Sequence, residues 1–153
     1  MSDQPDRLSR LREVMRTEGI DLVALAPGAH MAWLLDVRPH GDERPCIALI
    51  SRDREAFLMP ALEADSAREQ TDMAFYNWAD ADGPDAALGQ LLGDFGAGSF
   101  SALVLDECMR ADHAALITDA LPGAARHFTA ATIGALRMRK EDGEYRTLKT
   151  NAT

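Results

Sequence analysis

The chain is poor in cysteine, in basic residues and in long apolar runs, and each shortage removes a class of protein. Its two cysteines, Cys46 and Cys108, are too few for a disulfide framework and lack metal-ligand spacing, so a reducing, cytoplasmic compartment is expected. No apolar run approaches the roughly 20 residues that a membrane-spanning helix needs. The opening Met1-Ser2-Asp3-Gln4-Pro5-Asp6 has no basic segment leading into an apolar one, so neither export nor a membrane partner is expected. Against 25 Asp and Glu stand only 16 Lys and Arg, a net charge of −9. A protein that grips phosphate backbones carries the opposite balance, and nucleic acid is not an expected partner.

What is present is a foldable composition. Over 153 residues, 46% are hydrophobic and no segment is of low complexity, which suits one domain burying about two thirds of its unfolded surface. Leu8, Leu11 and Val14/Met15 recur at helical spacing up to Gly19, where a glycine cap fits. Leu22 to Ala26 then reads as a strand buried on both faces, ended by Pro27-Gly28. His30 to Arg44 holds an amphipathic patch, Met31 to Leu35, and then a polar stretch with Pro39 and Gly41 that reads as a long loop.

Cys46 to Ile50 and Glu55 to Met59, joined by Ser51-Arg52-Asp53-Arg54, read as an antiparallel hairpin. Helices are expected over Ala61 to Gln70, Pro84 to Phe95 and Ala111 to Leu121, and strands over Met73 to Trp78, Ser101 to Leu105 and Arg126 to Ala131. The alternation implies an α/β three-layer sandwich on a mixed sheet. Residues 1 to 136 carry a net −11 and complete the core, whereas 137 to 153 carry +2 and read as the start of another helix. Left alone, that tail would expose Met138, Tyr145 and Leu148.

Catalytic chemistry is hard to find. His30, His40, His113 and His127 lie far apart without paired spacing, so no metal site is expected here. Asp80-Ala81-Asp82-Gly83 opens like a calcium loop, but Leu88 and Leu91 fall where oxygen ligands belong, which leaves a turn and helix cap. Gly93, Gly96 and Gly98 follow a helix and precede a strand, the reverse of a phosphate loop. No serine lies in a nucleophile elbow, and both cysteines read as small buried hydrophobes.

Two places remain. Asp106-Glu107 falls at the carboxyl end of a strand, the edge where open α/β sheets bind ligands. The loop bearing Arg38, His40, Asp42, Glu43 and Arg44 is the densest group of functional side chains and follows the Trp33 patch. On this basis alone the chain could be a free-standing α/β ligand-binding or protein-interaction module with its site at the strand ends.

Two segments carry a resemblance. Pro27-Gly28-Ala29-His30-Met31-Ala32-Trp33-Leu34-Leu35-Asp36-Val37 is similar to a stretch in the N-terminal domain of the creatinase, prolidase and Xaa-Pro aminopeptidase family. That stretch runs from a small loop into an aromatic residue, Leu, Thr, Gly and an aromatic; Leu35, Asp36 and Val37 replace the last three. Leu136-Arg137-Met138-Arg139-Lys140-Glu141-Asp142-Gly143-Glu144 resembles the family's junction into its catalytic domain, with Asp142 in place to cap a helix because Glu141 stands where Ser or Thr is usual.

The resemblance implies a mixed-sheet α/β fold with a ribonuclease H-like motif over residues 1 to 136 and a linker helix from 137 to 153. It also implies a parent metallohydrolase, cleaving before proline in the leading reading, while the same resemblance covers creatine-like and other non-peptide substrates. The parent's two divalent ions, manganese, cobalt or zinc, would sit in a C-terminal pita-bread domain on two Asp, one His and two Glu. No catalytic residue is carried over onto this chain, and it is expected to be inactive alone. Its expected partners are that catalytic domain and a second copy in a homodimer. Trp33, Arg38, His40 and Arg44 are the expected substrate-gating residues.

Overall fold

A computed structural model describes residues 4–139. Helix α1 (Gln4–Glu18) ends at Gly19, whose φ of +72° is the left-handed conformation glycine adopts freely. The Ile20 N–H returns to the Met15 carbonyl at 2.8 Å, and both side chains are buried, which completes a Schellman closure.

Strand β1 (Leu22–Leu25) follows, then a short helix α2 (Ala29–Leu35), so the amphipathic patch Met31 to Leu35 is helical and the loop begins after it. Next come the hairpin β2 (Ile47–Ser51) and β3 (Glu55–Pro60), helix α3 (Ala61–Ala67), strand β4 (Ala74–Trp78) and helix α4 (Asp85–Asp94). Strand β5 (Ala102–Leu105), helix α5 (Ala111–Ala120) and strand β6 (Ala125–Phe128) complete the alternation.

The six strands lie in the order β4-β3-β2-β1-β5-β6. β2 runs antiparallel to both its neighbours, and the other pairs are parallel. The mixed sheet is as the sequence implied. Side chains alternate across a strand, so Val23 and Leu25 enter one core with Leu11, Met15, Met31 and Phe57, while Leu22 and Ala24 enter a second with Leu88, Leu91 and Ile117. Helices therefore cover both faces, which makes the three layers.

Three expectations need correction. β6 sits at Ala125–Phe128 with every residue exposed, because it is an edge strand; Thr129–Ala131 turns away as a short 3-10 helix. The Asp82-Gly83 turn forms, with Gly83 at φ +73°, but the residue capping α4 is Pro84 and no side chain caps it. Cys46 is buried, whereas Cys108 is exposed.

At the end of the described chain, residues 133–139 are helical, with Ile133 and Leu136 buried in the first core and Met138 exposed. The division expected at residue 136 thus falls within a helix. Asp142, Tyr145 and Leu148 lie outside the described residues. Among the described residues, no helix is long and apolar enough to cross a membrane.

Candidate functional site

The loop between α2 and β2 is held at four points. Asp36 closes α2 at φ 54°, ψ 34°, with its N–H on the Ala32 carbonyl. This is the position where the resembling family has glycine, and here an aspartate takes the left-handed conformation that glycine adopts freely. Asp42 Oδ1 accepts the Arg44 N–H at 2.8 Å, and Arg44 Nη2 reaches Asp42 Oδ2 at 3.2 Å and Glu63 Oε1 at 3.1 Å. His113 Nε2 meets the Glu43 carbonyl at 2.9 Å, and Trp78 Nε1 donates to the Pro45 carbonyl at 3.1 Å.

These ties set the local electrostatics. The Arg44 N–H and guanidinium hold the Asp42 carboxyl below its ordinary range, and Asp42 in turn raises Arg44. Burial, then the nearby Asp42 charge, pushes Glu63 up.

Two adjoining depressions flank the loop. One, of about 280 Å³, lies at the carboxyl ends of β1 and β5, with Pro27, Asp42, Arg44, Cys108, Arg110 and His113 among its lining. The other, of about 420 Å³, is lined by Gly28, Ala32, Arg38, His40 and Gly41 among others. Arg38 and His40 are exposed and face the second, while Arg44 is half-buried at the first.

Trp33 is not brought to them. It is half-buried against the first core, with the Arg7 guanidinium 4.7 Å from its ring centroid and Arg7 Nη1 donating to its carbonyl at 2.6 Å. Three of the four expected gating residues therefore share one region, and Trp33 braces α2 against α1.

Asp106 is 3% exposed, and its carboxylate is spent on backbone: Oδ2 accepts the Ala26 N–H at 3.2 Å and Oδ1 the Cys108 N–H at 3.0 Å. Sequence reasoning missed His30 here. Among the described residues, His30, Asp106 and Glu107 offer ligand atoms within 4.8 Å of one another. Arg137 Nη1 lies 3.2 Å from His30 Nδ1, and Thr129 Oγ1 lies 3.2 Å from His30 Nε2 and 2.8 Å from Glu107 Oε1. Both imidazole nitrogens are engaged, one of them by a guanidinium. Burial raises the Glu107 carboxyl, but the bonds from Thr129, its own backbone N–H and the nearby His30 together hold it low.

The model of the Creatinase/Prolidase N-terminal domain matches residues 7–139. The chain belongs to this family. Solved structures that share the fold include the following three. The prolidase from Thermococcus sibiricus is 18% identical, with a TM-score of 0.77 over 89% of this chain and 37% of that one. The dipeptidase PepE from Mycobacterium ulcerans is 21% identical, with a TM-score of 0.76 over 88% of this chain and 36% of that one. The creatinase/prolidase N-terminal domain of an X-Pro dipeptidase from Streptococcus pyogenes is 12% identical, with a TM-score of 0.73 over 82% of this chain and 94% of that one. The chain thus spans little more than a third of the first two proteins. No curated protein sequence matches it.

Proposed function

We propose that this creatinase/prolidase N-terminal domain serves as the non-catalytic part of a longer, cytoplasmic, metal-dependent hydrolase that cleaves before proline in small peptides. In this reading Arg38, His40 and Arg44 shape the approach to the active site, and the domain contributes to a homodimer. The observation that carries it is the family match over residues 7–139 together with a loop whose Arg44 end is anchored while Arg38 and His40 face outward.

The parent's pair of divalent ions, manganese, cobalt or zinc, belongs in this reading to the C-terminal catalytic domain. The described residues do not fit such a pair: they gather only His30, Asp106 and Glu107, with Asp106 bonded to backbone and Arg137 beside His30. No step of hydrolysis is assigned to this chain.

The test uses the full-length enzyme. Arg38→Ala and His40→Ala should change KM or peptide-length preference while kcat and metal content stay constant. Unchanged kinetics in both variants would remove the gating role. A second reading, a small-molecule binding module, is favoured by the cleft of about 280 Å³ at the strand ends. Calorimetric binding of dipeptides to the isolated chain, lost in Arg110→Ala, would support that reading over the first.

A further inference from the structure

Four side chains from four separate elements form one hydrogen-bonded chain at the carboxyl edge of the sheet. A guanidinium can only donate, so His30 Nδ1 accepts from Arg137 Nη1 at 3.2 Å. The imidazole proton then sits on Nε2 and is donated to Thr129 Oγ1 at 3.2 Å, and the Thr129 hydroxyl donates to Glu107 at 2.8 and 2.9 Å. The Thr129 N–H adds a bond to Glu107 Oε1 at 3.2 Å. A cation stands at one end and a carboxylate at the other, so each donor in the chain points toward negative charge.

The backbone is shaped to the same contact. A Cβ on Gly134 would lie 2.9 Å from the Thr129 carbonyl oxygen, closer than real Cβ atoms come, so glycine is what lets the helical residues 133–139 lie against the 129–131 turn. The Thr132 N–H to the Thr129 carbonyl, 3.0 Å, ties the start of the helix to that turn. His30 stands in the first turn of α2, whose other end is Asp36, the start of the candidate loop.

We propose that Arg137, His30, Thr129 and Glu107 form a latch that seats residues 133–139 on the sheet edge and couples that helix to α2. This holds whether or not the parent is a peptidase. Arg137 is the cation of the latch, and Thr129 is its relay.

Amide hydrogen exchange on the 153-residue chain tests it, with Thr129→Val and Arg137→Gln as variants. Each should speed exchange over 133–139 and over α2 by about tenfold, with β1 and β5 unchanged. Arg137→Lys, which keeps a donor and a charge, should restore part of the protection. Unchanged exchange over 133–139 in Arg137→Gln would overturn the latch. So would an equal rise across β1 and β5, because a general loss of stability is not a local release. Should Thr129→Val fail to fold, the half-buried Arg137 pair decides the matter alone.

Discussion

Asp106 clasps the backbone of Ala26 across 80 positions of sequence, its buried Oδ2 accepting the Ala26 N–H where β1 runs out. At the opposite end of the same strand pair, Asp21 Oδ2 accepts the N–H groups of Ser101 at 2.8 Å and Ala102 at 3.1 Å. The parallel pairing of β1 with β5 is therefore pinned at both ends by carboxylates.

Asp106→Ala should lower stability by about 2–3 kcal/mol, because it leaves buried backbone donors unmatched. Asp106→Asn retains an acceptor and should cost less. Urea denaturation reads this as a lower midpoint at constant slope. A change under about 0.5 kcal/mol in the alanine variant would mean that water replaces the carboxylate and that Asp106 is free for another role.

Asp36 is the one non-glycine residue with positive φ among the described residues. Its side chain makes only an exposed pair with Arg38, which contributes little. Asp36→Gly should therefore raise stability by about 0.5–1 kcal/mol, and Asp36→Val should lower it, since a β-branched residue fits the left-handed region poorly. Thermal unfolding of the three proteins orders them. A less stable glycine variant would show that the Arg38 pair outweighs the backbone strain.

How far the fold was legible follows from how burial prints itself on sequence. β1, β2 and β5 read clearly because they are buried along their whole length. The alternation of helices with strands then implied the layers. α2 escaped because seven residues between Gly28 and a polar loop span only two turns, too few for a periodic signal. β6 shifted because an exposed edge strand has no burial pattern. The His30–Glu107 neighbourhood was illegible for another reason: it exists only because β1 and β5 lie side by side, and strand order is not written in local pattern. Trp33 packs against the first core, since an aromatic beside a loop serves a core as readily as a ligand.

The acid limb of stability should be set by carboxylates held low in the folded chain. Asp42, Asp112 and Glu107 all have folded values below their ordinary ones, so what they contribute is present above the unfolded carboxylate range and lost as pH falls from there through their lower folded values. Glu63, raised chiefly by burial, acts in the opposite sense, favouring the folded state on the acid side and losing that as pH rises. Denaturation midpoints between about pH 3 and 6 should fall steeply in the parent chain and less steeply in Glu107→Gln. An unchanged slope in that variant would place Glu107's carboxyl at its unfolded value and detach it from Thr129.

The two thiols should react at very different rates, and for different reasons. Cys46 is 2% exposed, and burial pushes its thiol up to about 12, so it offers neither access nor thiolate near neutral pH. Cys108 is exposed, but the Asp106 charge, then burial and Glu107, raises it as well. Iodoacetamide at pH 8 should therefore add one group slowly, at Cys108, and the second only when the chain unfolds. Cys108→Ser should take up none while folded. Asp106→Asn should quicken labelling at Cys108 by removing the largest charge that opposes its thiolate. Two groups entering the native chain at one rate would mean that Cys46, which lines the first depression, is reached without unfolding.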